Sequence, residues 1–491
     1  MGRAKKLHPL VDSEVPNLLE QIFPYSLPPL IRFDSPVVEY IDGEPVEFDF
    51  SSVRDRELLI TDTTFRDGQQ ARPPYTVDQM VRIFDLLSRL GGPNGVIRQT
   101  EFFLYTKNDR ETLDKCRALG HKYPECTGWI RAVKGDFRLV QEAGLKETGM
   151  LTSCSDYHIF HKSKFRSRKE CIDKYCEVVD AAFEAGVRPR CHLEDLTRAD
   201  IDGFVLPFVD RLMEMSRQVP QEQSVKIRLC DTMGFGISYP GAELPRSIPK
   251  LIYKLNRECG VPSDRLEWHG HNDFHKVHVN AATAWLYGCD VVNTTIFGFG
   301  ERTGNPPLEG AIFEYIALKG DPSTSLGAGL STSLGAGLCG IDTMAVTELA
   351  GYMRSIGLPI PDNYPFAGRA FNTTSAGIHA GGLRQDERIY NIFDTERLLG
   401  RPPRIAITDK SGADGVAHWL NEFFGLKGDE RISKIKVHKL ARWVMDQYEQ
   451  QGRLTAISDP ELEAKAKEFY PDYWQKYGTI SSPFYLKPQN H

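Results

Sequence analysis

Residues 57–70 read Glu-Leu-Leu-Ile-Thr-Asp-Thr-Thr-Phe-Arg-Asp-Gly-Gln-Gln, an apolar run that breaks into acids, an arginine and a glycine turn. Short β-prone runs bounded by turn residues predict buried strands. Comparable runs lie near 97–102, 127–132, 147–152, 187–194, 225–231, 266–271 and 290–296, and amphipathic stretches such as 77–90, 168–185, 244–258 and 277–287 separate them. Alternating strand and helix patterns imply βα units and a parallel sheet. Eight such units in about 260 residues predict a closed (β/α)8 barrel. An open doubly wound sheet is the alternative, but no GxGxxG follows a strand to favour it.

The rest of the chain is organised around that block. Residues 1–56 are Pro-rich and predict an N-terminal arm that wraps a partner surface, since Phe23, Tyr25, Leu27, Leu30 and Ile31 need an apolar neighbour. The catalytic barrel is expected over 57–320. An exact tandem of STSLGAGL follows within 321–340 and reads as a flexible Gly/Ser linker. Residues 341–427 predict a helical subdomain, and 428–491 a polar, aromatic, helical extension.

Bulk properties exclude several function classes. The 491 residues carry 41% hydrophobic and 26% charged side chains, with a formal net charge of −6. That balance points to neither nucleic acid nor an anionic membrane as the main partner. Ten cysteines are scattered without a CxxC pair, the nearest two being Cys171 and Cys176. They predict reduced thiols in a cytoplasmic enzyme. No run of 18 apolar residues is present, and the opening residues lack the apolar segment of a signal peptide.

The chemistry gathers at the predicted strand ends, which face the active site in a (β/α)8 barrel. The first strand runs into Arg66-Asp67-Gly68, an acid and a cation on a turn, although a plain surface turn would use the same residues. The seventh reads Leu266-Glu267-Trp268-His269-Gly270-His271-Asn272-Asp273. Residues i and i+2 of a strand share a face, so His269 and His271 project together, about 7 Å apart along the chain, as two ligands of one metal. After the eighth strand, Gly298, Gly300 and Gly304 bring backbone close to the site, and Asn305 offers an amide oxygen as ligand or sits just behind the ligands. The fifth strand ends in Arg190-Cys191-His192-Leu193-Glu194-Asp195. There Glu194 is the candidate acid–base group and Asp195 the candidate cap of the next helix. The sixth ends in Asp231-Thr232, which supplies a hydroxyl for a carboxylate.

Taken together, DTTFRDGQQ, RCHLEDLTRAD, LCDTMGFG, HGHND and GFGERTGNPPLE resemble the DRE-TIM metallolyase superfamily over roughly 57–427. Within it the chain is similar to the Claisen-condensing branch of homocitrate, isopropylmalate, citramalate and Re-type citrate synthases. The resemblance implies a divalent metal held by Asp67, His269 and His271, with Asn305 a weaker fourth. Mn2+ is favoured, with Mg2+, Co2+ and Zn2+ as alternatives. It implies acetyl-CoA as co-substrate and a 2-oxo acid bound by Arg66, Gln70, Glu101, Arg131, Ser155, His158, His192 and Thr232. The stretch HAGGLRQDERIY matches a post-barrel motif whose histidine and tyrosine, here His379 and Tyr390, reach a neighbouring subunit's active site in a homodimer. With Glu194 and Arg66 they complete the catalytic set.

Departures direct the choice of substrate. Phe65 stands where leucine is usual, and His192 where homocitrate synthases carry serine. The long N-terminal arm and GLRQDERIYNIFDT resemble the Re-citrate synthase group, so oxaloacetate is the expected oxo acid. The homocitrate reaction on 2-oxoglutarate and isopropylmalate- or phosphinomethylmalate-type reactions are the alternatives. Only about 60 polar residues follow 427, too few for a leucine-sensing domain. A hydroxymethylglutaryl-CoA-lyase-like cleavage would be a different class, and GFGERTGN lacks the cysteine expected of that group.

Overall fold

The structure is a computed structural model that describes residues 27–320, 340–375, 377–426 and 428–477. The STSLGAGL tandem lies outside the described residues, as do Phe23 and Tyr25 of the expected arm. The chain divides into two compact units, one formed by residues 30–360 and the other including 361–491.

The first unit begins with a hairpin, β1 (Val37–Ile41) and β2 (Glu44–Phe48). Its two-residue turn, Asp42-Gly43, has positive φ at both positions, the geometry for which Asp-Gly is suited. This part of the expected arm is folded onto the barrel of its own chain. Phe48 and Phe50 pack edge-on to Tyr287, Asp42 pairs with Lys254, and Glu39 accepts from the Gly241 amide.

Eight strands follow: β3 (Leu59–Asp62), β4 (Ile97–Phe103), β5 (Glu125–Ile130), β6 (Glu147–Ser153), β7 (Arg188–Glu194), β8 (Lys226–Asp231), β9 (Leu266–Gly270) and β10 (Val291–Thr294). They form a closed barrel in chain order, with β10 returning to pair with β3, and every ladder is parallel. The helices between and after them are α1 (Val77–Gly91), α2 (Lys107–Ala118), α3 (Phe137–Glu142), α4 (Arg168–Glu184), α5 (Leu206–Ser216), α6 (Ile248–Tyr253), α7 (Val277–Leu286) and α8 (Leu308–Lys319). Polar caps start several of them: Thr76 and Gln79 close a capping box on α1, Thr106 and Asp109 another on α2, and Ser167 accepts from the Glu170 amide on α4. The predicted (β/α)8 barrel is thus the observed fold.

Helix α9 (Met344–Ser355) belongs with the barrel, so the division falls some twenty residues later than the expected 340/341 boundary. Arg89 of α1 anchors this region through Asp342 and Glu348.

The second unit contains a short parallel pair, β11 (Thr373–Thr374) and β12 (Arg404–Ile405). Its helices are α10 (Gly377–Gln385), α11 (Thr395–Leu399), α12 (Gly412–Phe423), α13 (His438–Glu449), α14 (Asp459–Phe469) and α15 (Pro471–Tyr477). Trp419, Leu420, Phe424, Leu440, Val444 and Leu462 form its core, and Trp419 stacks on Phe423 at 4.9 Å.

Candidate metal centre at the barrel mouth

The inner face of the barrel is polar. Thr61, Gln99, Glu101, Thr127, Glu147, Arg190, His192, Arg228, Glu267, His269 and Asn293 are buried there. Arg228 links Glu101 at 3.1 Å to Glu267 at 2.8 Å, and Arg190 links Glu267 at 3.2 Å to Glu147 at 3.1 Å. Lys226 joins Glu147 at the start of β8. Isolated charges would not persist in such a place, so the ladder stands only because each charge is paired. Against burial, which raises it, the arginines hold the Glu101 carboxyl well below its usual range.

At the mouth, Thr63 accepts from the amides of Arg66, Asp67 and Gly68, a tight turn that sets Asp67 over the barrel. The Asp67 Oδ2 atom lies 3.5 Å from His269 Nε2 and 3.8 Å from His271 Nε2. The three possible ligand atoms fall within 4.8 Å of one another, and all three residues are buried. The side chains project together as the i, i+2 spacing predicts. Gly270 lies between them, and a Cβ there would crowd Trp268 Nε1 and Val277 Cγ2, both at 3.2 Å.

The protonation states suit a cation. Burial holds both imidazoles below their ordinary range, hence neutral. Burial would raise Asp67, but its neighbours, Arg66 foremost, together outweigh it and keep the carboxylate ionised. Two neutral imidazoles and one carboxylate, buried and convergent, are the donor set of a divalent first-row ion or Mg2+, and they fit such an ion. Asn305 turns its NH2 group to Asp67 Oδ2 at 2.8 Å, while its Oδ1 is buried with no hydrogen-bond partner among the described residues. In this orientation it steadies the carboxylate, and ligation through Oδ1 would require the amide to turn over.

Other expected site residues fall into three groups. Arg66, Glu101 and His192 are adjacent: Arg66 Nε donates to Glu101 at 3.0 Å, and His192 Nε2 lies 3.7 Å from Glu101. His192 is fully buried, and both of its ring nitrogens lack a partner among the described residues. Burial and the nearby arginines keep it neutral.

A second group surrounds Glu194. Its carboxylate accepts from His158 Nδ1 at 2.9 Å, from Lys162 at 2.6 Å and from the Ser153 hydroxyl. These contacts overcome burial and bring its pKa to about 2. Ser155 donates to Asp195 at 2.5 Å, and the Thr232 hydroxyl accepts from the Asp195 amide at 2.8 Å. Asp195, expected to cap a helix, makes no side-chain cap. Its φ is +67°, and its carboxylate serves Ser155 and Arg198 instead.

The third group comprises Gln70 and Arg131 of the barrel unit, and His379 and Tyr390 of the second unit. Gln70 is exposed. Arg131, 65% exposed, gives its guanidinium to Asp136 at 2.9 Å through two nitrogens. In the second unit, His379 and Tyr390 lie ring to ring at 4.3 Å, both exposed.

Sequence reasoning missed Lys162 and Asn293. Lys162 follows His158 by four residues in SDYHIFHK, a spacing that could have flagged a second partner for Glu194. Nothing in VVNTT marks Asn293, which lies beside His269 because β10 pairs with β9.

A closed parallel barrel with a buried Asp-His-His cluster at the carboxyl ends of its strands defines a class: a (β/α)8 barrel with a candidate divalent-metal centre. Within that class, the chain belongs to the HMGL-like family, whose model matches residues 57–332. It is 50% identical over 466 residues to the citrate (Re)-synthase of Syntrophus aciditrophicus, covering 94% of this chain and 69% of that protein. It is 46% identical over 464 residues to the citrate (Re)-synthase of Clostridium kluyveri, covering 94% and 95%. The 2-phosphinomethylmalate synthase of Streptomyces hygroscopicus is 37% identical over 412 residues, covering 83% and 88%.

Proposed function

We propose that this protein condenses the acetyl group of acetyl-CoA with a 2-oxo acid, oxaloacetate first among them, and that water then hydrolyses the thioester of the adduct to give citrate and free CoA. The observation that carries the reading is the convergence of Asp67, His269 and His271 within 4.8 Å at the barrel mouth. Similarity of 46–50% to two citrate (Re)-synthases over 94% of the chain supports it.

Asp67, His269 and His271 would hold the divalent ion, Mn2+ in the first instance. When bound, the ion would supply Lewis acidity at the oxo acid's carbonyl. Arg66 is aimed by Glu101 through Nε and has Nη1 3.4 Å from Asp67, so its guanidinium stands beside the ligand cluster to receive the substrate carboxylate and the developing enolate oxygen. His192 and Thr232 offer further polar atoms to the oxo acid, with Glu101, Ser155 and His158 supporting the pocket and Gln70 and Arg131 at its approaches. Glu194, ionised beside His158 and Lys162, accepts rather than donates in this state. His379, paired with Tyr390, is the base that takes a methyl proton from acetyl-CoA. The post-barrel resemblance supports His379 and Tyr390 acting on a second copy in a homodimer. The nine described cysteines are free thiols, which supports a cytoplasmic location. No helix among the described residues is long and apolar enough to cross a membrane.

The test is thiol release from acetyl-CoA by Mn2+-loaded protein given a panel of 2-oxo acids. Oxaloacetate should give the fastest release. No release with oxaloacetate, together with release on 2-oxoglutarate or 2-oxoisovalerate, would sink the citrate reading.

A further inference from the structure

The two imidazoles of the cluster are held differently. His271 Nδ1 is buried and has no hydrogen-bond partner among the described residues. His269 Nδ1 lies 2.7 Å from Asn293 Oδ1. Thr61, Asn293 and His269 are direct cross-strand partners on β3, β10 and β9, so their side chains stand in one row inside the barrel. Glu267, two residues before His269, shares that face. Along the row, Asn293 Nδ2 donates to Thr61 Oγ1 at 2.8 Å, and Thr61 Oγ1 donates to a Glu267 carboxylate oxygen. Glu267 itself sits between Arg228 at 2.8 Å and Arg190 at 3.2 Å.

The polarity of this row is set from the Glu267 end. A carboxylate between two guanidiniums only accepts hydrogen bonds. The Thr61 hydroxyl has one proton and gives it to Glu267, so its lone pairs face Asn293. Asn293 must then turn its NH2 group to Thr61, which leaves Oδ1 for His269. An amide oxygen cannot donate, so the proton between them belongs to His269 Nδ1. The lone pair is left on Nε2, the atom that faces Asp67 at 3.5 Å.

We propose that Glu267, Thr61 and Asn293 form a tautomer-setting relay that presents the His269 Nε2 lone pair to a divalent cation. Thr61 and Asn293 are positioning residues in this relay, and they act through His269. The inference rests on the metal reading proposed above. His269 is then the ligand prepared in advance, whereas His271, unrestrained at Nδ1, adopts the required tautomer as the ion arrives.

Two measurements on metal-stripped, full-length protein test the relay. The first is Mn2+ titration, with free ion read by electron paramagnetic resonance. Asn293→Ala and Thr61→Val should weaken binding about 10–100-fold, the range for losing a group that orients a ligand. Thr61→Ser, which keeps the hydroxyl, should bind within about threefold of the unaltered protein. The second is the long-range 1H–15N spectrum of 15N-histidine-labelled protein without metal, in which His269 should show a proton on Nδ1. This needs no variant beyond one for assignment. A His269 protonated on Nε2 would overturn the relay, as would a Thr61→Val protein that melts normally and binds Mn2+ like the unaltered protein. Failure of the underlying reading looks different: His269→Ala would then retain its tight Mn2+.

Discussion

The inner face of the barrel and the shell behind it come from the same eight strands, one residue out of step, and are opposite in chemistry. Facing inward are Glu101, Glu147, Arg190, Arg228 and Glu267; facing the helices are Ile60, Phe102, Ile130, Leu193, Ile227, Leu229, Trp268 and Val292, all buried. Barrels of this kind ordinarily fill their interior with branched apolar side chains. Here the hydrophobic stabilisation is drawn from the shell, and the interior holds charges that aim other charges. Arg228 fixes Glu101, Glu101 fixes Arg66, and Arg66 lies 3.4 Å from Asp67. The difference teaches that catalytic geometry reaches well below the mouth.

The comparison can be broken most sharply at Arg228. Arg228→Met leaves Glu101 and Glu267 each short of a buried partner, and should cost about 5 kcal/mol, the upper part of the range for breaking a buried pair. Urea unfolding measures it. A loss below about 1 kcal/mol would show that the interior charges do not depend on one another.

The same chemical group in the two regions should respond to pH in opposite directions. Asp62 faces the shell, where burial raises its carboxyl to about 7 from 3.8. A folded pKa above the unfolded one means that stability is fully present below pH 4 and falls as pH rises to 7. The loss is roughly 4 kcal/mol, and Asp62→Asn should abolish it. Glu147 faces inward, where Lys226 and Arg190 outweigh burial and lower it to about 2 from 4.5. Its contribution is present above pH 4.5 and lost as pH falls to 2, roughly 3 kcal/mol. Unfolding free energies of Asp62→Asn and Glu147→Gln across pH 3–8 check both slopes, and slopes of the same sign would contradict the contrast.

Within the shell, Leu229→Ala should cost about 3 kcal/mol by leaving a cavity, with no change in cation binding. The smallest effect belongs to the solvent face. Lys169 and Asp173 are i,i+4 neighbours on α4 with side chains 83% and 56% exposed, and Lys169→Ala should change stability by no more than about 0.5 kcal/mol.

The shell was the more legible of the two regions. Apolar runs spaced by amphipathic helices located all eight strands, because burial against helices leaves a plain apolar signature. His269 and His271 were legible together because strand alternation alone puts them on one side. The interior was less so. Glu101, Arg190 and Arg228 acquire meaning only from partners on other strands, as Glu101 and Arg228 do from 127 residues apart in sequence. Arg131 likewise gives its guanidinium to Asp136, five residues on. Which partner a long side chain chooses depends on loop geometry that strand periodicity does not encode. Asn293 shows the same limit, since only the register of β10 against β3 and β9 makes it the neighbour of both Thr61 and His269.

The central claim is that closure of the barrel brings β3 and β9 together across β10 and so assembles one cation site from Asp67, His269 and His271. The direct test is bound Mn2+ after equilibrium dialysis of the unaltered protein, Asp67→Asn and His271→Ala. The account predicts about one tightly held ion per chain in the unaltered protein and none in either folded variant. An equally tight ion in both variants would contradict it.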